Sequence, residues 1–176
     1  TAGEVTLAFK FTVKTLPRNI CVMTEDENAK ITVNGIELQK ENIKNGFADV
    51  CFKCVSIPQN ALKTGQNELK ATFMFTDRYD IESLYLTGDF GVSASDEIIA
   101  LPSRLTSGDI TVQGLKYYGG RIKYTAAMPD GDYSVKLKEL HAAICYFNQK
   151  PVAFMPYGTE FKVTDGKFTA EVVLTR

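Results

Sequence analysis

The chain has 176 residues, which is enough for one large β-sandwich or for two small ones. Its 20 basic and 21 acidic residues give a net charge of −1, so its charge provides no attraction to nucleic acid or to an anionic membrane. The hydrophobic content of 44% is typical of a globular protein, and no apolar stretch approaches the roughly 20 residues of a membrane-spanning helix. We therefore expect neither nucleic acid nor a membrane as a partner.

The two ends of the chain are abrupt. The first residues, TAGEVTLAFKF, lack the basic-then-apolar pattern of a secretion signal and lead almost directly into a predicted strand. The last residues, VVLTR, are also strand-like. We expect a fragment of a longer protein, and the cellular compartment is left open.

Strands are predicted along most of the first half. Residues 5–13 alternate strictly, with Val5, Leu7, Phe9, Phe11 and Val13 on one face. Asn34-Gly35 predicts a tight hairpin between residues 30–34 and 35–38. Further strands are predicted at residues 19–23, 48–57, 69–75 and 81–93, the last of them long and bent.

A stretch rich in Pro, Ser and Gly, residues 94–109, interrupts this pattern and predicts a linker. We place a first β-sandwich unit at residues 1–95, the linker at 96–108 and a second unit at 109–176. Strands are predicted in the second unit at residues 110–112, 121–127, 132–138, 142–147, 159–164 and 167–175. No window shows a clean helical period, so the predicted fold class is all-β, an antiparallel β-sandwich, with two tandem units.

A faint internal repeat supports two units. Residues 11–38 and 124–152 both show a strand, a Pro-containing turn, a second strand, a polar break and an apolar strand that ends at Asn. Downstream, the sequence FKCV precedes Gly65, and FKVT precedes Gly166. A shared order of elements predicts one β-module used twice.

Metal and catalytic signals are weak. The CxxC spacing of Cys51 and Cys54 falls in an apolar run, where residues three apart in a strand point to opposite faces, so buried thiols are expected. The acidic turn Glu25–Asn28 could ligate structural calcium, but acidic turns that hold no metal are far commoner. We predict no catalytic residue, no metal ligand and no cofactor.

Tyrosines on glycine-rich loops are the main candidates for ligand contact. Such rings could stack on a sugar, with neighbouring Arg and Gln side chains hydrogen-bonding to its hydroxyls. The interpretation that we favour is that they are buried and cap the ends of the sandwich core. The candidate ligand-binding residues are Gln113, Tyr117, Tyr118, Arg121, Asn148 and Tyr157.

Three motifs in the chain resemble a known family. The segment QGLKYYGG (113–120), followed by RIKY, resembles a QGYPFYAG-x-x-x-Y opening, and residues 80–92 are similar to a D-x-E-x-x-YLxGDFGV strand. ITVNG (31–35) is similar to a VNG hairpin, with FNQK (147–150) and Pro156-Tyr157 at the corresponding places of the second unit. These motifs are similar to the galactose-binding-like jelly roll of the glycoside hydrolase family 2 sugar-binding domain, which also accompanies large bacterial rhamnosidase-like hydrolases.

The resemblance implies a non-catalytic accessory module of a larger bacterial glycoside hydrolase. In that family the catalytic carboxylates belong to a separate domain, so the implied partners are a carbohydrate or the neighbouring catalytic domain of the same polypeptide. A cell-surface adhesion or interaction domain is one alternative. The other is a self-contained glycosidase using Glu82 and Asp89, but these face opposite sides of a strand, about 23 Å apart if it is fully extended.

Overall fold

The computed structural model describes residues 2–39, 43–45, 51–78, 83–106, 108–135, 143–147, 150–155, 159–163 and 166–173. These residues form β-strands joined by turns, with one described turn of 3-10 helix at Gln59–Ala61. The predicted all-β class is therefore confirmed. Their contacts divide the chain into two compact units, Thr1–Tyr117 and Tyr118–Arg176, which we call the N-terminal and the C-terminal unit.

The N-terminal unit contains two sheets. A six-stranded sheet has the order β4-β3-β7-β1-β10-β9, and a four-stranded sheet has the order β5-β6-β2-β8. The strands are β1 (Gly3–Val13), β2 (Ile20–Thr24), β3 (Lys30–Val33), β4 (Ile36–Glu37), β5 (Ile43–Asn45), β6 (Lys53–Ser56), β7 (Gly65–Phe75), β8 (Tyr85–Gly88), β9 (Phe90–Val92) and β10 (Glu97–Ala100). Their pairings are antiparallel except for β1 with β10, which is parallel.

One buried cluster joins the two sheets into a sandwich. Val13, Val33 and Leu69 come from the six-stranded sheet, whereas Val22 and Val55 come from the four-stranded one. Alternate residues of β7 point inward: Asn67, Leu69, Ala71 and Phe73 are buried in alternation with more exposed neighbours. This period of two is the physical reason that the sequence pattern predicted strands.

The hairpin predicted at Asn34-Gly35 is confirmed. The two residues have φ angles of 50° and 84°, as a type I′ turn requires, and they join β3 to β4. Asn tolerates this left-handed region better than most side chains, and Gly has no Cβ to clash.

The C-terminal unit repeats the strand pairing of the N-terminal unit. Its strands are β11 (Arg121–Met128), β12 (Gly131–Val135), β13 (Ala143–Phe147), β14 (Lys150–Met155), β15 (Thr159–Val163) and β16 (Gly166–Val173). Strand β16 pairs with β11 and β13, β13 pairs with β14, and β12 pairs with β15. In the N-terminal unit, β7 pairs with β1 and β3, β3 with β4, and β2 with β6. The repeated order of elements predicted from the sequence is therefore present in the backbone.

Two short segments differ from the predicted strands and linker. Residues 97–100, inside the predicted linker, form β10, and Ile98 is part of the buried core. Residues 111–114 form a turn where a strand was predicted at 110–112. In both places a few apolar residues lie among turn-forming ones. Such a short run shows no clear periodicity, so the sequence does not predict its conformation, which depends on tertiary contacts. The division of contacts falls after Tyr117, beyond the predicted linker.

Candidate functional site

A short hairpin loop provides the first part of the site. The loop Ala94-Ser95-Asp96 joins β9 to β10, with hydrogen bonds from the amide of Asp96 to Ser93 O (3.1 Å) and from the amide of Ser93 to Glu97 O (2.9 Å). Asp96 has a φ of 61°, the left-handed position that ends this kind of three-residue loop and is often glycine. Asp96 therefore places a carboxylate side chain at a backbone position that favours glycine.

Residues 114–116, which follow the predicted linker, provide the second part of the site. Val92 in β9 donates its amide proton to Gly114 O at 2.7 Å, and Leu115 forms a parallel bridge with Val92. The amide of Lys116 reaches Val92 O at 3.4 Å. These contacts hold residues 114–116 along the edge of β9 and bring the residues that follow to the 94–96 loop.

Asp96, Lys116 and Tyr117 meet on the protein surface, and we call these three residues the Tyr117 surface. One carboxylate oxygen of Asp96, Oδ1, accepts hydrogen bonds from Lys116 Nζ (2.7 Å) and from the Tyr117 hydroxyl (2.5 Å). Lys116 Nζ also donates to Ala94 O at 3.0 Å and lies 5.4 Å from the centre of the Tyr117 ring, within reach of a cation–π contact. The ring is thus fixed at its hydroxyl end while 63% of the residue stays exposed.

The opposite charges of Asp96 and Lys116 stabilise each other's ionised form. The hydrogen bonds from Lys116 and Tyr117 lower the pKa of Asp96, and the Asp96 carboxylate raises the pKa of Lys116. Next to Asp96 in the chain, Glu97 forms an ion pair with Lys14 at 2.7 Å, and this contact lowers the pKa of Glu97. Both carboxylates are therefore ionised at neutral pH.

Four of the six candidate residues lie in described parts of the chain, and the contacts divide them between the units. Gln113 and Tyr117 belong to the N-terminal unit, and Tyr118 and Arg121 to the C-terminal unit. Asn148 and Tyr157 lie outside the described residues.

Gln113 uses its side chain within its own loop. Its Oε1 accepts from the amide (2.8 Å) and the hydroxyl (3.1 Å) of Thr106, and its Nε2 donates to Thr106 O (3.2 Å) and Asp109 O (3.0 Å). An amide group with these four contacts braces the loop between residues 106 and 113, so it has little capacity left for a ligand.

The expectation that Tyr117 and Tyr118 cap the core as buried rings is wrong. Tyr117 is 63% exposed and Tyr118 is 40% exposed. The Tyr118 hydroxyl donates to Arg121 O at 3.0 Å, and Arg121 is itself exposed at the start of β11. Tyr117 lies in a turn, and Tyr118 lies in the segment without regular structure that leads into β11.

Asp96 and Lys116 were not chosen from the sequence. They are 20 residues apart, and the contacts of Val92 with residues 114–116 bring them together. The available signal was an acidic residue in a short Ser-rich turn between two apolar runs, which is a common surface pattern.

The acidic turn considered for calcium has a structural explanation. Asp26 Oδ1 accepts the amide proton of Asn28 at 2.8 Å, and the amide of Asp26 donates to Thr24 Oγ1 at 3.2 Å. Such contacts close a turn. Within the described residues, no group of three or more His, Cys, Asp or Glu side chains is arranged to hold a metal ion.

The cysteines of the CxxC sequence lie in different surroundings, and the expectation of buried thiols is wrong for Cys51. Cys51 is exposed in a turn, while Cys54 is half-buried in β6. Burial and the neighbouring Cys21 raise the pKa of the Cys54 thiol to about 11, and Cys21 Sγ lies 3.0 Å from Thr87 Oγ1. A raised pKa disfavours the thiolate that a nucleophile or a metal ligand needs.

The carboxylate pair considered for glycoside hydrolysis is only partly described. Asp89 Oδ2 accepts a hydrogen bond from Asn19 Nδ2 at 2.5 Å, and the amide of Asp89 donates to Asn19 O at 3.0 Å. These contacts tie the β8–β9 junction to the turn before β2. Glu82 lies outside the described residues.

Among the described residues, no helix is long and apolar enough to cross a membrane. No protein family matches the chain, and no curated protein matches it. Among solved structures, the chain is similar to a crystal structure of Streptomyces avermitilis alpha-L-rhamnosidase complexed with L-rhamnose, with 10% sequence identity and a TM-score of 0.28. The similarity covers 96% of this chain and 21% of the rhamnosidase chain. At this TM-score, nothing about the function of the present chain follows from the match.

Proposed function

We propose that this chain is a non-catalytic accessory β-sandwich module of a larger bacterial glycoside hydrolase, and that its Tyr117 surface contacts carbohydrate. The observation that carries the proposal is the exposed Tyr117 ring, held at its hydroxyl by Asp96. A sugar ring presents an apolar face and a rim of hydroxyl groups, so it fits an aromatic ring beside charged hydrogen-bonding groups.

Pre-organisation favours this surface over a freely rotating tyrosine. The contacts of Asp96 with Lys116 and Tyr117 already restrict these side chains, so less conformational entropy is lost when a ligand binds. The Asp96 carboxylate can accept a hydrogen bond from a sugar hydroxyl group. A shallow, solvent-exposed contact of this kind gives weak affinity, about −4 kcal/mol or a millimolar dissociation constant.

The assignment to a glycoside hydrolase rests on the sequence motifs, and contacts between two of them support it. Gly91, in the GDFGV motif, lies against Gly114 of the QG motif so closely that a Cβ on Gly91 would be 2.6 Å from Gly114 O. The motifs thus meet at one contact of the N-terminal unit, which is what a shared scaffold requires. Their role there is packing.

The electrostatics of the Tyr117 surface argue against catalysis at this place. A glycosidase needs one carboxyl group that stays protonated near neutral pH, so the pKa of that group has to be raised. Lys116 lowers the pKa of Asp96, and Lys14 lowers the pKa of Glu97. Neither residue suits the role of general acid.

The proposal is tested by following backbone amides in NMR spectra during titration with mono- and oligosaccharides, including L-rhamnose and galactose. We expect fast-exchange shifts at residues 93–97 and 114–117, which disappear in Tyr117→Ala and weaken in Asp96→Asn. Tyr85→Ala serves as the matched control, because Tyr85 is also an exposed tyrosine of the N-terminal unit. If no sugar at millimolar concentration shifts these amides, carbohydrate binding at this surface is excluded.

A second candidate role is packing against a neighbouring domain of the same polypeptide. Leu101 and Val112 are 52% and 70% exposed, and large apolar side chains with this exposure often contact a partner. In the full-length enzyme, Val112→Asp would then lower the melting temperature of the whole enzyme but leave that of the isolated chain unchanged. An equal melting temperature for both full-length proteins would contradict this role.

A further inference from the structure

Most of β1 has an unpaired edge. On one side β1 pairs with β7 from Gly3 to Val13, whereas on the other side β10 pairs only with Thr12 and Val13. Among the described residues, no strand pairs with the second edge of residues Gly3–Phe11. This leaves nine residues of extended backbone, about 27 Å long, with hydrogen-bonding groups directed away from the sheet.

The side chains along this edge form two distinct faces. Val5, Leu7 and Phe11 pack against the core, and Phe9, on the same face, remains 44% exposed. Glu4 and Lys10 are exposed and lie on the opposite face, because their positions differ from those of the core residues by an odd number. The edge therefore combines an incompletely covered apolar row with two opposite charges.

We propose that β1 pairs with β1 of a second copy of this chain, antiparallel and centred on Leu7. In that register Glu4 lies opposite Lys10 of the other molecule at both ends of the pair, and Val5 lies opposite Phe9. Both pairs belong to the same register, because the residue numbers of each pair add up to 14. Residues directly opposite each other lie on the same face of the sheet, so charged residues meet charged residues and apolar residues meet apolar ones. The two six-stranded sheets then form one continuous sheet across a two-fold axis.

Two independent features select the same centre. The unpaired stretch Gly3–Phe11 is symmetric about Leu7, because β10 covers the edge from Thr12 onward. The charges Glu4 and Lys10 are also symmetric about Leu7, and opposite charges directly across an antiparallel pair stabilise it. A shift of the register by two residues would separate both charge pairs.

The corresponding strand of the C-terminal unit lacks this complementarity. Among the strands that the structure describes, β11 lies at the edge of its sheet, and its charged residues, Arg121 and Lys123, are both basic. A second copy of β11 would find no acidic partner on it. Natural sheets protect free edges with proline, bulges or inward-pointing charges, and residues 3–11 contain no proline and pair with β7 without a register shift.

The proposal is tested on the full chain by sedimentation equilibrium at several protein concentrations. We expect a monomer–dimer equilibrium in which Glu4→Lys and Lys10→Glu each raise the dissociation constant about tenfold, since each places two like-charge pairs across the strands. The double variant E4K/K10E exchanges the charges and should restore the original dissociation constant. Lys30→Glu, another charge reversal in the same sheet but on β3, should leave it unchanged.

Hydrogen exchange gives a second measurement that does not depend on the charge variants. Amides of residues 3–11 that point away from β7 should become protected as the protein concentration rises, whereas amides directed at β7 should be protected throughout.

Because Lys10 lies opposite Glu68 in β7, each charge variant is first checked for an unchanged melting temperature of the monomer. A chain that remains monomeric, or a dimer whose dissociation constant is changed by neither single reversal, overturns the proposal.

Discussion

Asn67 is only 2% exposed, and hydrogen bonds account for both polar atoms of its side chain. Its Oδ1 accepts from Asn34 Nδ2 (2.8 Å) and the Lys63 amide (3.0 Å), and its Nδ2 donates to Lys63 O (2.8 Å) and Gly65 O (2.9 Å). Asn34 continues the network by donating to Ala61 O (2.8 Å) and accepting the Glu68 amide (3.0 Å). The β3–β4 hairpin is thereby attached to the loop that precedes β7.

We expect Asn67→Ala to lower the free energy of unfolding by about 2–3 kcal/mol, because it leaves several buried partners without a hydrogen bond. Urea denaturation followed by circular dichroism measures this change. The neighbouring exposed Gln66 provides the control, and Gln66→Ala should change stability by less than about 0.5 kcal/mol. Equal effects of the two substitutions would show that the network contributes nothing beyond side-chain volume.

At the scale of elements, the position of β9 depends on one close backbone contact. A Cβ on Gly91 would lie 2.6 Å from Gly114 O and 3.1 Å from Ala100 O, and both atoms belong to the backbone. The neighbouring amide of Val92 donates to the same Gly114 oxygen at 2.7 Å. A glycine at position 91 therefore permits the contact that positions Lys116 and Tyr117.

Gly91→Ala should move residues 113–117 away from β9 and lower the free energy of unfolding by about 1–3 kcal/mol, the usual cost of overpacking. The amide resonances of Val92, Leu115 and Tyr117 should shift together. Gly3→Ala is the matched control, since no atom lies within 4 Å of a Cβ at Gly3, and it should leave those resonances unchanged. If the alanine at position 91 left them unchanged as well, the contact would not position the Tyr117 surface.

The elements that the sequence could predict are those determined by local pattern. Strict alternation predicted β1, and Asn34-Gly35 predicted its hairpin, because side-chain direction and turn geometry depend on adjacent residues. Strand β10 was missed because four residues between turn-forming segments give no period, and its place is decided by its parallel pairing with β1. The Asp96–Lys116 contact was missed for the same reason, as its partners meet only through tertiary structure.

For the whole molecule, the repeated pairing scheme implies that each unit has its own strand network. Among the described residues, the N-terminal unit has β5 beside β6 in addition to this scheme, and at its C-terminal end it has the added strands β8, β9 and β10. These additions extend that unit through the sequence-predicted linker to Tyr117. Ile98 of β10 is 5% exposed within the core of the sandwich. The N-terminal unit should therefore be complete at residue 117 and incomplete at residue 95.

The last prediction compares two fragments that differ in where they end. The fragment 1–117 keeps β10 and the contact between Val92 and Gly114, so it should unfold cooperatively and give a dispersed amide spectrum. The fragment 1–95 loses the burial of Ile98, worth about 1.5–3 kcal/mol, together with the pairing of both β1 and β9 with β10. Since a small domain has only about 5–15 kcal/mol of net stability, the shorter fragment should melt at a much lower temperature or lose cooperativity. Equal melting temperatures for the two fragments would mean that β10 is not an integral strand of the N-terminal sandwich and that the unit ends before it.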